Sequence, residues 1–189
     1  MRSLVLEGTG RLAWHEVPDP QRRHDREAIV RPLAVATCDL DQPMIFGQTP
    51  FQFAIHLGRE CVAEVVEGPE GFAPGDRAVV PFPISCGTCE RCRRGLTGKC
   101  ETVPSLSMYG FGPLGGEWGG MLSDLALVPY AEAMLVPLPE GVDPAVVPSA
   151  RRQHARRVAD GGPGPSRASG RGRACRQRRR DALAAAVRG

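Results

Sequence analysis

No apolar run in this 189-residue sequence approaches the ~18 residues of a membrane-crossing helix, which excludes such a span. The opening Met1-Arg2-Ser3-Leu4-Val5-Leu6-Glu7 holds too short an apolar run for a signal peptide, so the expectation is a cytoplasmic chain with reduced thiols. A dinucleotide fingerprint is also missing. Gly112, Gly115, Gly116, Gly119 and Gly120 form a rich cluster, but strand signals follow them where a helix would be needed, so they predict a loop. From Arg151 onward there is no aromatic residue and one leucine, Leu183, too little apolar surface to offset the entropy of an ordered chain.

What is present is turn-rich and soluble in character, with 42% hydrophobic residues, 23 Gly and 18 Pro, a balance that favours short strands over long helices. The net charge of +3 conceals a division. Residues 1–150 carry 12 basic and 19 acidic groups, a charge of −7, and residues 151–189 carry 12 basic and 2 acidic groups, a charge of +10. The basic character belongs to the tail.

The most specific pattern is Cys86, Cys89, Cys92 and Cys100, at C-x2-C-x2-C-x7-C spacing. Four thiolates can saturate one tetrahedral zinc ion at about 2.3 Å, and two-residue gaps let tight turns bring the sulfurs together. A site closed in this way is structural, because it leaves no position for substrate. An iron–sulfur ferredoxin run ends C-x3-C-P, whereas here the last gap is longer and Glu101 follows Cys100, so zinc is favoured.

In chain order, Ser3–Leu6 and Leu12–Val17 flank a Gly8-Thr9-Gly10 turn and predict a hairpin. Residues 28–36 predict a strand leading to Cys38, with Pro32 marking an edge or a bulge. Cys38-Asp39-Leu40-Asp41 and Gly58-Arg59-Glu60 form two polar loops able to meet in space, and residues 61–68 read as the strand after the second loop. Pro74–Pro81 reads as a turn and a strand that deliver the chain to the cysteine lobe. Met121–Pro129 and Ala133–Pro139 are further strand-like runs, and Asp143-Pro144 marks a helix entry with Asp143 as its cap. His15 and His24 read as surface residues, His56 as a solvated loop histidine, and Cys61 as core.

Cys38 followed by Asp41, Gly58-x-Glu60, Gly75-Asp76-Arg77, the four-cysteine lobe and the Gly-rich approach to Val128-Pro129 together resemble the zinc-dependent alcohol dehydrogenases of the medium-chain dehydrogenase/reductase superfamily. The resemblance covers residues 1–150 and implies a mainly β fold, a GroES-like partly open barrel with a zinc-binding lobe, normally partnered by a Rossmann domain. It implies a small-molecule alcohol or polyol as substrate, NAD or NADP as hydride acceptor in the full-length family, a possible homo-oligomer, and no membrane partner. It implies a structural zinc on Cys86, Cys89, Cys92 and Cys100. Cys38 matches the first ligand of a second, catalytic zinc that polarises the alcohol oxygen, Glu60 matches the acidic neighbour of the histidine ligand, and Asp41 is a candidate for holding the loop. The histidine is replaced by Arg59, a permanent cation with no lone pair to give, and Leu40 stands where the family often has a hydroxyl for proton relay.

The tail departs from the family. Residues 151–189 read as a disordered or out-of-frame Arg-rich segment with no legible Rossmann domain. With suitable codons, the stretch from Arg151 re-reads one nucleotide later as Asp-Asp-Asn-Met-Pro-Asp-Ala-Trp-Arg-Thr-Val-Gly, which is typical of the family's next helix and motivates a frameshift near codon 150. Two other functions are open at this stage. One is a stand-alone structural zinc module. The other is nucleic-acid binding through Arg176–Arg180, which would weaken steeply with salt.

Overall fold

Alternating turn glycines and short β-branched runs build the chain into two antiparallel sheets. The computed structural model describes residues 1–51 and 54–147, and the Arg-rich tail with its expected disorder or altered frame lies outside them. Strand β1 (Arg2–Gly8) pairs with β2 (Arg11–Glu16) across the tight turn at Thr9-Gly10, as the hairpin signal predicts. Its other edge takes β4 (Ile55–His56), so β1 is the centre strand of a three-stranded sheet and buries Leu4, Val5 and Leu6 in succession.

The second sheet has the order β7 (Ala126–Val128), β3 (Ala28–Val35), β5 (Cys61–Glu67), β6 (Arg77–Val80), β8 (Val136–Pro137). Its central strands are β3 (Ala28–Val35), β5 (Cys61–Glu67) and β6 (Arg77–Val80). The register of β3 against β5 shifts between Pro32 and Ala34, the bulge that the missing proline N–H calls for. Strand β7 (Ala126–Val128) pairs with Ala28–Val30 and stops short of Pro32. The main core lies along this sheet and includes Val30, Cys61, Val65, Val80, Tyr109, Met121 and Met134. Tyr109 is wholly buried, and its hydroxyl donates to the Leu127 carbonyl at 2.8 Å. The two sheets do not close into a barrel, in agreement with a mainly β, partly open GroES-like architecture.

Three expectations change in detail. The run from Met121 to Pro129 is strand only at Ala126–Val128, because Met121 and Leu122 instead give their N–H groups to Gly58 and Leu57. The run from Ala133 to Pro139 opens as the last turn of helix α3 (Ala131–Met134), which buries Ala131 and Met134, and only β8 (Val136–Pro137) pairs with β6. His56 is not a loop residue; it lies in β4, half-buried, with Nδ1 2.8 Å from Ser3 Oγ. Burial lowers its pKa below the ordinary histidine value, and nearby His15 adds to the effect. His15 is at the surface beside Glu7, as expected. At residue 143 the cap is as predicted, with Asp143 accepting from the Ala145 N–H at 2.9 Å, although the element it starts is a short 3-10 turn, Pro144–Val146. Among the described residues no helix is long and apolar enough to cross a membrane.

Candidate metal centre

After β6 the chain leaves the sheet and makes two very short elements, α2 (Glu90–Arg93) and a 3-10 turn, Thr97–Lys99. Helices this short cannot stand on backbone hydrogen bonds alone, since their nucleation cost exceeds what a single turn returns. What organises them is sulfur. The Sγ atoms of Cys86, Cys89, Cys92 and Cys100 lie within 4.8 Å of one another. Among the described residues this is the one cluster of three or more such side chains able to hold a metal ion.

The backbone is aimed at these sulfurs. Cys89 caps α2, its sulfur accepting from the Cys92 N–H at 3.4 Å, while Cys86 accepts from the N–H groups of Thr88 and Cys89 at 3.4 and 3.3 Å. Thr102 Oγ1 donates to Cys86 Sγ at 3.1 Å, and the Cys86 N–H donates to Cys100 Sγ at 3.4 Å. Burial alone would raise the Cys86 thiol, but the donors Thr102, Cys89 and Thr88 bring it down to about 5. Cys92 is pushed the other way, up to about 12, by burial and by the neighbouring sulfurs of Cys89 and Cys100. Four sulfurs with N–H and O–H donors directed at them suit a tetrahedral thiophilic ion, and zinc fits the donor set. Such an ion would deprotonate all four thiols on binding and tie the lobe together.

The lobe is fastened to the sheet by Arg26. Its Nη2 donates to the Cys86 carbonyl at 2.7 Å, its guanidinium lies 5.0 Å from the Tyr130 ring centroid, and Nε is 3.8 Å from Glu132. Nothing in the sequence around Arg26 signals this contact, because its partners lie 60 and more residues away.

The second set of predicted residues sits elsewhere. The loop before α1 (Asp41–Ile45) brings Cys38 next to Asp41, whose Oδ2 accepts the Cys38 N–H at 2.5 Å. The loop between β4 and β5 carries Arg59 into the same place. Gly58 permits this with a φ of +92°, and Gly110 lets the glycine-rich loop cross at a distance where a Cβ would meet the Gly58 carbonyl at 2.8 Å and Arg59 Cγ at 2.9 Å. The two loops therefore meet, as their sequence order suggests, and they meet on Arg59. Nη1 donates to Cys38 Sγ, and Nη2 donates to Asp41 Oδ1 at 2.6 Å and to Met44 Sδ at 3.0 Å. The Phe111 ring centroid lies 4.8 Å from the guanidinium carbon.

Glu60 is buried at the entry to β5, and its carbonyl accepts the Ala36 N–H at 2.9 Å. Cys38, Asp41 and Glu60 do not come together as a three-donor group. A catalytic zinc needs three protein ligands with lone pairs and one open position, and the position between Cys38 and Asp41 is taken by a cation. The residues present do not fit a second zinc. Met44 and Phe111 belong to this site and were not singled out in the sequence; the only signal for Met44 is its helical spacing of three from Asp41.

Comparison with known proteins follows the same outline. A family model described as the alcohol dehydrogenase GroES-like domain matches residues 24–140. The glutathione-independent formaldehyde dehydrogenase of Pseudomonas aeruginosa is 37% identical over 150 residues, an overlap of 73% of this chain and 37% of that protein. Among solved structures, the alcohol dehydrogenase TADH from Thermus sp. ATN1 is similar with a TM-score of 0.68 and 35% identity, over 76% of this chain and 42% of that one. Zinc dependent alcohol dehydrogenase 2 from Streptococcus pneumonia is similar with a TM-score of 0.62 and 27% identity, over 76% of this chain and 40% of that one. The chain spans less than half the length of these relatives.

Proposed function

Because the chain belongs to the alcohol dehydrogenase GroES-like domain family, we propose that residues 1–150 are the substrate-side domain of an NAD(P)-dependent oxidoreductase acting on a small alcohol, polyol or aldehyde. The observation that supports this reading is the four-sulfur lobe, which leaves the sheet between β6 and β7. A zinc ion there would hold the lobe rather than touch substrate, since all four positions are filled by cysteine. Hydride transfer requires a nicotinamide fixed against the substrate carbon, so the cofactor supplies the chemistry and the protein supplies position.

This reading extends to the tail. Residues 151–189 are proposed to be the +1 out-of-frame product of a coding sequence whose original frame continues into the nucleotide-binding half. The gene is sequenced across codon 150, and the chain and its +1 continuation are each assayed for NAD(P)H formation from small alcohols, polyols and formaldehyde. Turnover by the continued product once Arg59 is replaced by histidine, and none by the 189-residue chain, is the expected result. No turnover by the continued Arg59→His product contradicts the oxidoreductase reading, and a gene without a +1 continuation ends the frame reading.

A further inference from the structure

The place where two potential metal-binding side chains converge holds a guanidinium. Arg59 is 3% exposed, and its two terminal nitrogens divide between Cys38 Sγ on one side and Asp41 Oδ1 with Met44 Sδ on the other. Its carbon lies against the Phe111 ring. Cys38 Sγ accepts a second donor, the Leu40 N–H at 3.3 Å.

We propose that Arg59 is the resident cation of this site in place of a metal ion, and that Cys38 is left as a metal-free thiol whose reactivity does not respond to zinc. A guanidinium keeps its charge throughout the accessible pH range, so it cannot step aside by losing a proton as a histidine or lysine can. A divalent ion brought to Cys38 and Asp41 would have to displace a 2.6 Å charge-assisted bond and leave a cation buried without its carboxylate, a costly state. The planar fork also matches two different acceptors at once, which a lysine ammonium would do less well. Met44 and Phe111 complete the nest, because a sulfur and an aromatic face are both suited to a desolvated guanidinium.

The test uses the full chain. The chain is labelled with iodoacetamide, with and without added zinc, and Cys38 modification is followed by peptide mass. Alkylation forms an S–C bond with loss of iodide, and a zinc-bound thiolate is protected from it. The wild-type chain is expected to label at Cys38 at the same rate in both conditions, while the lobe cysteines are protected by zinc. In Arg59→His, added zinc is expected to slow Cys38 labelling by about tenfold or more, because a lone-pair donor then joins Cys38 and Asp41. Zinc protection of Cys38 in the wild-type chain overturns the proposal, and so does an Arg59→His chain, folded as judged by its protected lobe, in which Cys38 stays unprotected. If that variant does not fold, the wild-type comparison decides alone.

Discussion

At the scale of single residues, the Arg59 site is a buried ion pair with side-chain exposures of 3% for Arg59 and 14% for Asp41. Such a pair gives little net stability compared with an apolar substitute, yet it becomes expensive when one member is removed and the other is left in place. Asp41→Ala is therefore expected to destabilise the chain by about 3–5 kcal/mol in urea unfolding at fixed zinc. A loss within the ~0.5 kcal/mol of an ordinary surface substitution would mean that Arg59 is not held as described. The sequence discloses half of this site. That Arg59 cannot ligate zinc follows from its chemistry alone, and residues 38–41 and 58–60 read as two polar loops able to meet. Met44 and Phe111 were not legible, since a methionine on a short helix and a phenylalanine in a glycine-rich loop are each ordinary until tertiary packing brings them to one guanidinium.

The elements show where local propensity decides and where pairing decides. The hairpin β1–β2, the strands β3, β5 and β6, and the Asp143 cap were readable because turn glycines, β-branched runs and a cap residue act locally. The run from Ala133 to Pro139 reads as a strand but opens in a helical turn, because its apolar residues are equally compatible with a buried turn and its prolines limit the pairing available to β8. The lobe is an element of another kind, with few buried apolar side chains and its order placed on four sulfurs. Removing its metal is expected to release it while the sheets persist. With a chelator present, trypsin should cut at the exposed Arg91, Arg93 and Arg94, and the zinc-loaded chain should resist there. Equal cleavage in the two states would show that the lobe does not depend on a metal.

For the whole molecule, the mainly β architecture, the thiol cluster and the family were legible ahead of the tail, and the family match covers residues 24–140. The change at Arg151 is a change in composition, which a sequence displays directly but whose origin lies in the nucleotide sequence. The chain is proposed to carry two sites of opposite kind, a four-thiol lobe able to hold a metal and an arginine-filled site that excludes one. Counting zinc by native mass spectrometry on the intact chain, purified with zinc present, tests both together. One zinc per chain, lost on replacing Cys89 with serine, is the predicted result; two zinc ions per chain, or one that survives Cys89→Ser, contradicts the account.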